Sequence, residues 1–93
     1  MEKTIHTKDD LMKCIANRLK EELIDVSVYN SLYEDFETVG MYAEADEIEE
    51  IAREEFTHAN ALYEILEEHG YDKLIDQEIM NLWYKAKSIF HIK

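Results

Sequence analysis

The sequence predicts an all-α protein: an antiparallel two-helix hairpin followed by a short C-terminal helix, with two copies joining into a four-helix bundle. The 93 residues include no proline and only two glycines, which argues against a turn-rich β-sandwich or barrel. Apolar residues recur at steps of three and four over two long segments on either side of Gly40, and this is the period of an α-helix. We therefore expect one domain over 1–93, with the hairpin at about 8–69 and the third helix at about 72–90.

The first helix is predicted to begin at Thr7, a residue type that caps helix N-termini. Asp9 and Asp10 place acidic groups in the first turn, where they suit the positive end of the helix dipole. Gly40 fits the position that follows a helix C-terminus, so the helix should end at about Thr38. Its apolar stripe consists of Leu11, Ile15, Leu19, Val26, Tyr29, Tyr33 and Phe36.

The second helix is predicted to end at His69 and Gly70, and the third to run from about Asp72 to Phe90. A link as short as Gly40 makes the first two helices antiparallel. The third helix is too short to cover the whole apolar face of the hairpin, so we expect a second copy to cover the rest. The two stripes consist of Ala45, Ile48, Ile51, Ala52, Ala59, Leu62, Ile65 and Leu66, and then of Leu74, Ile75, Ile79, Leu82, Trp83, Ala86 and Phe90.

The composition excludes several classes of partner. Ten basic residues face 22 acidic ones, a net charge of −12, which disfavours binding to nucleic acid and to anionic membranes and makes cations natural ligands. The one cysteine, Cys14, supplies neither a disulfide nor a thiolate metal site within one chain; we expect it to be buried. No apolar stretch approaches the roughly 20 residues of a membrane span, and the N-terminus does not resemble a secretory signal. A cytoplasmic protein is expected.

Two glutamates and a histidine occupy positions that the periodicity reserves for apolar residues. Glu22 lies in the first stripe and Glu55 in the second, with His58 three residues further on the same face. A lone glutamate in such a stripe is usually a boundary residue whose carboxylate reaches solvent, and a lone histidine is usually an ordinary core residue. Two carboxylates and an imidazole together are costly to bury unless they are paired or bind metal.

The spacing brings these residues to similar heights in the hairpin. Glu22 lies 18 residues before Gly40 and Glu55 lies 15 residues after it, a difference of three residues or about 4.5 Å of helix rise. A two-fold axis would then supply two glutamates and two Glu-x-x-His pairs, the ligand set of carboxylate-bridged di-iron and di-manganese bundles. The lack of thiolates also favours iron or manganese.

Glu22, its interval to Gly40, and Glu55-x-x-His58 resemble one half of a rubrerythrin bundle, within the ferritin-like superfamily. Tyr29 and the Gly-Met-Tyr-Ala element at 40–43 are similar to that family as well, and the resemblance covers roughly residues 10–70. Rubrerythrins carry two such helix pairs and a four-cysteine module in one chain, whereas this chain has one pair and lacks the module. The single hairpin with a short third helix resembles encapsulated ferritins, although their two ligand glutamates are somewhat closer in sequence.

The resemblance implies a ferroxidase-type oxidoreductase that oxidises Fe2+ with O2 or peroxide at a di-iron site shared between two subunits, with a role in iron storage. It implies a homodimer at least, with a ring of dimers as a larger assembly. An encapsulin shell would be a further partner, and the cytoplasmic protein would then lie inside that nanocompartment, although nothing after Phe90 resembles a cargo-targeting tail. The alternatives are a rubrerythrin-like peroxide scavenger and a non-catalytic helical assembly protein clamped by metal.

The candidate catalytic and metal-ligating residues are Glu22, Glu55 and His58, with Glu55 of each copy expected to bridge two metal ions. Asp25 points roughly the same way as Glu22. It is an extra ligand, a carboxylate that shifts when the metal is oxidised, an acceptor for the His58 N–H, or a solvated acid. Tyr29 lies two turns beyond Glu22 on the same face, and it is either a hydrogen-bond donor to a ligand or an ordinary core tyrosine.

Overall fold

The chain folds into three α-helices in the computed structural model, which describes residues 7–91. They are α1 (Lys8–Thr38), α2 (Tyr42–Glu68) and α3 (Gln77–His91), and a single 3-10 turn at Asp72–Leu74 connects α2 to α3. The helices α1 and α2 pack along each other as an antiparallel hairpin, and α3 packs mainly against α1 and α2 at one side. The predicted all-α fold class, a hairpin of two long helices followed by a short C-terminal helix, is confirmed. The second copy that would complete a four-helix bundle stays a prediction. Residues 1–6 and 92–93, which belong to the predicted domain, lie outside the described residues.

Thr7 is the N-cap of α1, as the sequence predicts, and the structure adds a capping box with Asp10. Oγ1 of Thr7 accepts a hydrogen bond of 3.1 Å from the backbone N–H of Asp10, and Oδ2 of Asp10 accepts one of 3.4 Å from the backbone N–H of Thr7. Two backbone donors that the helix itself leaves unpaired are thereby satisfied.

The hairpin reverses direction at Gly40, whose φ of +82° is one that residues with a Cβ adopt only with strain. The N–H of Gly40 donates to the carbonyl of Glu37 at 3.0 Å, and the N–H of Met41 donates to the carbonyl of Phe36 at 2.8 Å. This pair of bonds is the Schellman motif, which ends a helix and satisfies its last carbonyls. Since α2 begins at Tyr42, the connection is too short for any arrangement other than antiparallel.

The predicted start of the third helix at about residue 72 is wrong. Residues 72–74 form the 3-10 turn, and α3 begins at Gln77. Asp76 explains the later start, because its Oδ1 accepts a 2.9 Å hydrogen bond from the backbone N–H of Ile79. A side chain that caps in this way holds its own residue outside the helix.

The core lies where α1 meets both α2 and α3. Leu19, Leu23 and Val26 of α1 are fully buried, as are Ala59 and Leu66 of α2. Leu23 was missed by the predicted stripe, because a helix that packs against two partners buries a wider face than one row of positions. From α3 the core receives Ile79 and Ala86.

Aromatic rings attach α3 to α2. The ring of Trp83 lies 4.4 Å from that of Tyr63 and 5.5 Å from that of Phe56, measured between centroids. Tilted pairs at these separations add about 0.5–1.5 kcal/mol each beyond the area that they bury. The prediction that Cys14 is buried is wrong: its side chain is exposed, because it lies on the part of α1 that neither α2 nor α3 covers. Within residues 7–91, none of the helices combines the length and the apolar character that crossing a bilayer requires.

Candidate metal centre

The hairpin brings Glu22, Glu55 and His58 together. One oxygen of each glutamate and one ring nitrogen of His58 all lie within 4.8 Å of one another. The Nδ1 atom of His58 lies 3.6 Å from Oε1 of Glu55 and 3.8 Å from Oε1 of Glu22. The similar heights that the sequence predicts for Glu22 and Glu55 thus correspond to an approach of their side chains in the structure.

Glu22 is the buried member of the group, with 6% of its surface exposed. Its two carboxylate oxygens have different surroundings: Oε2 accepts a 2.5 Å hydrogen bond from Nη2 of Arg18, whereas Oε1 is buried and has no hydrogen-bond partner among the described residues. A buried carboxylate oxygen without a partner is unfavourable by roughly 1–3 kcal/mol or more. While Glu55 is ionised, the oxygen that faces His58 and Glu55 is therefore the one without a hydrogen-bond partner in the described residues.

The electrostatics of the two carboxylates are coupled. Burial alone would raise the pKa of Glu22, but hydrogen bonding with Glu55 and Arg18 and the positive charge of Arg18 outweigh burial and lower that pKa. The hydrogen bond that a protonated Glu55 can make to Glu22 raises the pKa of Glu55, and burial and the charges of Glu22 and Asp25 raise it further. Two ionised carboxylates this close repel each other, so the pair attracts either a proton or a metal cation.

The face of the hairpin that carries the three side chains is open. The side chain of His58 is 62% exposed and that of Glu55 is 22% exposed. Ile51, one turn before Glu55 on the same line of α2, is 37% exposed, and Leu11, which lies on the line of Glu22 in α1, is 49% exposed. This face therefore exposes both apolar and ligand-type side chains of the predicted stripes, and α3 does not cover it.

The other two predicted site residues stand at the edge of the group. Asp25 is half-buried, and it is close enough to raise the pKa of Glu55, but it is not among the residues whose ligand atoms converge. Tyr29 is half-buried, and within residues 7–91 the hydrogen bonds of the three site side chains do not include it. Its predicted bond to a ligand stays a prediction.

Arg18 is the neighbour that the sequence reasoning missed. It lies four residues before Glu22, one turn along the same face of α1, and it contacts both Glu21 and Glu22. The spacing of four between arginine and glutamate is itself a sequence signal for a helix ion pair. The sequence prediction considered the positions of the apolar stripe, and Arg18 lies beside that stripe.

The donor set fits a metal of the iron or manganese type. Carboxylate oxygens and an imidazole nitrogen are ligands that these metals accept, and the unpartnered Oε1 of Glu22 is an atom that a cation would satisfy. One chain supplies three ligand atoms, fewer than the four or more that such ions usually take. The three side chains are therefore suited to be part of a larger ligand set.

The comparisons with known proteins add no relative. No protein-family model matches the chain, and neither a curated protein nor a solved structure matches it. The resemblance to rubrerythrins and encapsulated ferritins accordingly rests on the residues themselves, and the function has to be argued from the site.

Proposed function

We propose that the protein is a ferritin-like iron-binding ferroxidase, which oxidises Fe2+ with O2 or peroxide at a site made from Glu22, Glu55 and His58 of two subunits. The observation that supports it best is the buried Oε1 of Glu22, which has no hydrogen-bond partner in residues 7–91 and faces two further ligand-type side chains. A bound cation gives that oxygen a partner and offsets the repulsion between the two carboxylates.

A second copy of the chain is the proposed source of the remaining ligands. The face with Glu55 and His58 also exposes Leu11 and Ile51, so covering it removes apolar surface from water as well as completing the site. A two-fold axis through this face doubles the set to four glutamates and two histidines, the number found in carboxylate-bridged two-metal bundles. Packing against α3 uses a different face of α2, at Phe56 and Tyr63, so it does not compete.

The residues have separate tasks in this proposal. Glu22 and His58, from opposite helices of the hairpin, would hold a metal ion, and Glu55 beside them would reach the neighbouring copy. Each Fe2+ that is oxidised to Fe3+ gives up one electron, so four Fe2+ and four protons would reduce one O2 to two H2O, and two Fe2+ and two protons would reduce one H2O2 to two H2O. Manganese would fit the same ligands. The net charge of −12 favours the approach of cations to the protein.

The test is O2 consumption during addition of Fe2+ to the purified protein in air, followed with an oxygen electrode and by ultraviolet absorbance of Fe3+. We expect O2 uptake in proportion to added Fe2+ and well above the rate of Fe2+ in buffer alone. Iron bound without O2 uptake would instead support the alternative of a structural metal clamp. If peroxide, but not O2, oxidises bound iron quickly, the rubrerythrin-like peroxide scavenger replaces the ferroxidase.

Several finer expectations depend on this proposal. In this proposal Fe2+ itself is the electron donor. A ring of dimers and residence inside an encapsulin shell in the cytoplasm are the assembly and the location that the encapsulated-ferritin resemblance implies. Both are tested by the mass of the native assembly.

A further inference from the structure

Arg18 is the positive charge closest to the candidate metal centre. Its Nη2 donates to Oε2 of Glu22 at 2.5 Å and its Nη1 donates to Oε1 of Glu21 at 2.6 Å. The guanidinium group is half-exposed, with 56% of the side chain accessible, whereas only 8% of the side chain of Glu22 is accessible. A cation at the surface thus reaches one oxygen of a carboxylate that is buried.

We propose that Arg18 is the internal counter-cation of this centre: it balances the charge of Glu22 while no metal is bound, and it weakens the binding of divalent cations. The inference rests on the proposed function in one respect, since it takes Glu22 to be a metal ligand. It adds a control on affinity that is built into the chain.

The two oxygens of the Glu22 carboxylate have different neighbours. Arg18 holds Oε2, while Oε1 faces Nδ1 of His58 at 3.8 Å. A metal ion on Oε1 would share one carboxylate group with the guanidinium, so that two positive charges lie on either side of the same small anion. Like charges at such separations repel even where solvent screens them.

A buried carboxylate without a partner, as Glu22 would be without Arg18, lowers the stability of the fold. A carboxylate that is nearly inaccessible to water must be compensated by a cation or by several hydrogen bonds. Arg18 is that partner in the structure, since it donates the 2.5 Å hydrogen bond to Oε2, whereas Nδ1 of His58 lies 3.8 Å from Oε1. A bound metal ion and Arg18 would therefore each compensate the negative charge of Glu22.

Two other basic residues of the described part of the chain pair with carboxylates elsewhere. Lys20 lies on the same helix but pairs with Glu78 of α3 at 2.9 Å, and Arg53 pairs with Glu49 at 3.3 Å. Lys20 is two positions from Arg18, which turns it about 200° around α1. It is therefore a matched control that carries the same charge on a different face.

The experiment compares Arg18→Gln, Arg18→Lys and Lys20→Gln with the wild-type chain. Mn2+ affinity is measured from the electron paramagnetic resonance signal of free Mn2+, and the midpoint of thermal unfolding is measured in EDTA. We expect Arg18→Gln to bind Mn2+ about three- to tenfold more tightly, since screened repulsion at this range is of that order, and to melt at a lower temperature in EDTA. Arg18→Lys keeps the charge and should stay within about twofold of wild-type affinity, as should Lys20→Gln.

A double variant keeps the test decisive if Arg18→Gln folds poorly without metal. Arg18→Gln combined with Glu22→Gln removes the uncompensated charge, and its midpoint in EDTA should return toward that of the wild type. Failure to return contradicts the counter-cation role. Mn2+ affinity of Arg18→Gln that equals or falls below that of the wild type also overturns the inference, and so does an Arg18→Lys variant as tight as Arg18→Gln. If the wild-type chain does not bind Mn2+, the proposed metal site itself fails. If the wild type binds Mn2+ and Arg18→Gln does not bind it more tightly, only the role of Arg18 fails.

Discussion

Oε1 of Glu22 lies 3.8 Å from Nδ1 of His58, although the two residues belong to different helices, which the turn at Gly40 connects. The register of the hairpin determines this approach. Because the Schellman motif at Gly40 leaves almost no freedom in the connection, each residue of α1 has a defined partner height on α2. The site is therefore a consequence of where the turn falls in the sequence.

The core of the hairpin depends on leucines that are completely buried. Leu19 has no exposed surface, whereas Ile24 on the same helix is 40% exposed. Leu19→Ala should therefore lower the free energy of unfolding by about 2–5 kcal/mol, because it removes buried apolar groups and leaves a cavity. Ile24→Ala should lower it by less than about 1 kcal/mol. Urea unfolding in EDTA measures both, and equal losses would contradict the packing described for α1.

Metal should drive association of the chains. In the metal-free state each subunit brings the partly exposed carboxylate of Glu55 to the open face, beside the buried Glu22, and like charges from two copies oppose contact there. Mn2+ should shift the population from monomer to dimer or larger, as measured by sedimentation velocity with Mn2+ and with EDTA. Glu55→Gln should weaken this response, while Glu54→Gln should retain it. A mass distribution that is the same with Mn2+ and with EDTA would argue against a shared site.

The buried charge of Glu22 predicts an unusual effect of its removal. Glu22→Gln gives up the ion pair to Arg18 but also removes a carboxylate whose Oε1 is unpartnered. These effects oppose each other, so the free energy of unfolding in EDTA should stay within about 1 kcal/mol of the wild type. The stabilisation by Mn2+, about 2.7 kcal/mol at a hundredfold excess over Kd, should largely disappear. Chemical denaturation with and without Mn2+ checks both, and full retention of the metal effect would exclude Glu22 as a ligand.

Much of this fold could be predicted because its signals are local. Thr7 with Asp10 marks one helix end and Gly40 another, and the sequence alone places both within a residue of where the structure has them. The start of α3 was misplaced because the apolar pattern continues through Asp72–Leu74, whereas the Asp76 cap decides the boundary. Periodicity indicates which residues can face a core. It does not indicate where a side chain such as that of Asp76 caps a helix by accepting a backbone hydrogen bond.

The candidate site shows the same division. The convergence of Glu22, Glu55 and His58 could be predicted from spacing around Gly40, since helix rise converts residue number into height. The contact from Arg18 to Glu22 also has a local signal, the spacing of four residues on one helix. The burial of Leu23 and the exposure of Cys14 could not be predicted, because each depends on which faces of α1 the other helices cover. Tertiary packing, and not local pattern, determines those features.

The ligand role of Glu55 is tested most directly by metal content, with Glu54 as its control. Glu54 is adjacent in sequence but lies about 100° around α2, and it is exposed. Iron or manganese per subunit is measured by inductively coupled plasma mass spectrometry, after loading and desalting, for the wild type, Glu55→Ala, His58→Ala and Glu54→Ala. We predict that Glu55→Ala and His58→Ala lose most of the bound metal while Glu54→Ala retains it at the wild-type level. Loss of metal in Glu54→Ala together with retention in Glu55→Ala would contradict the proposed centre.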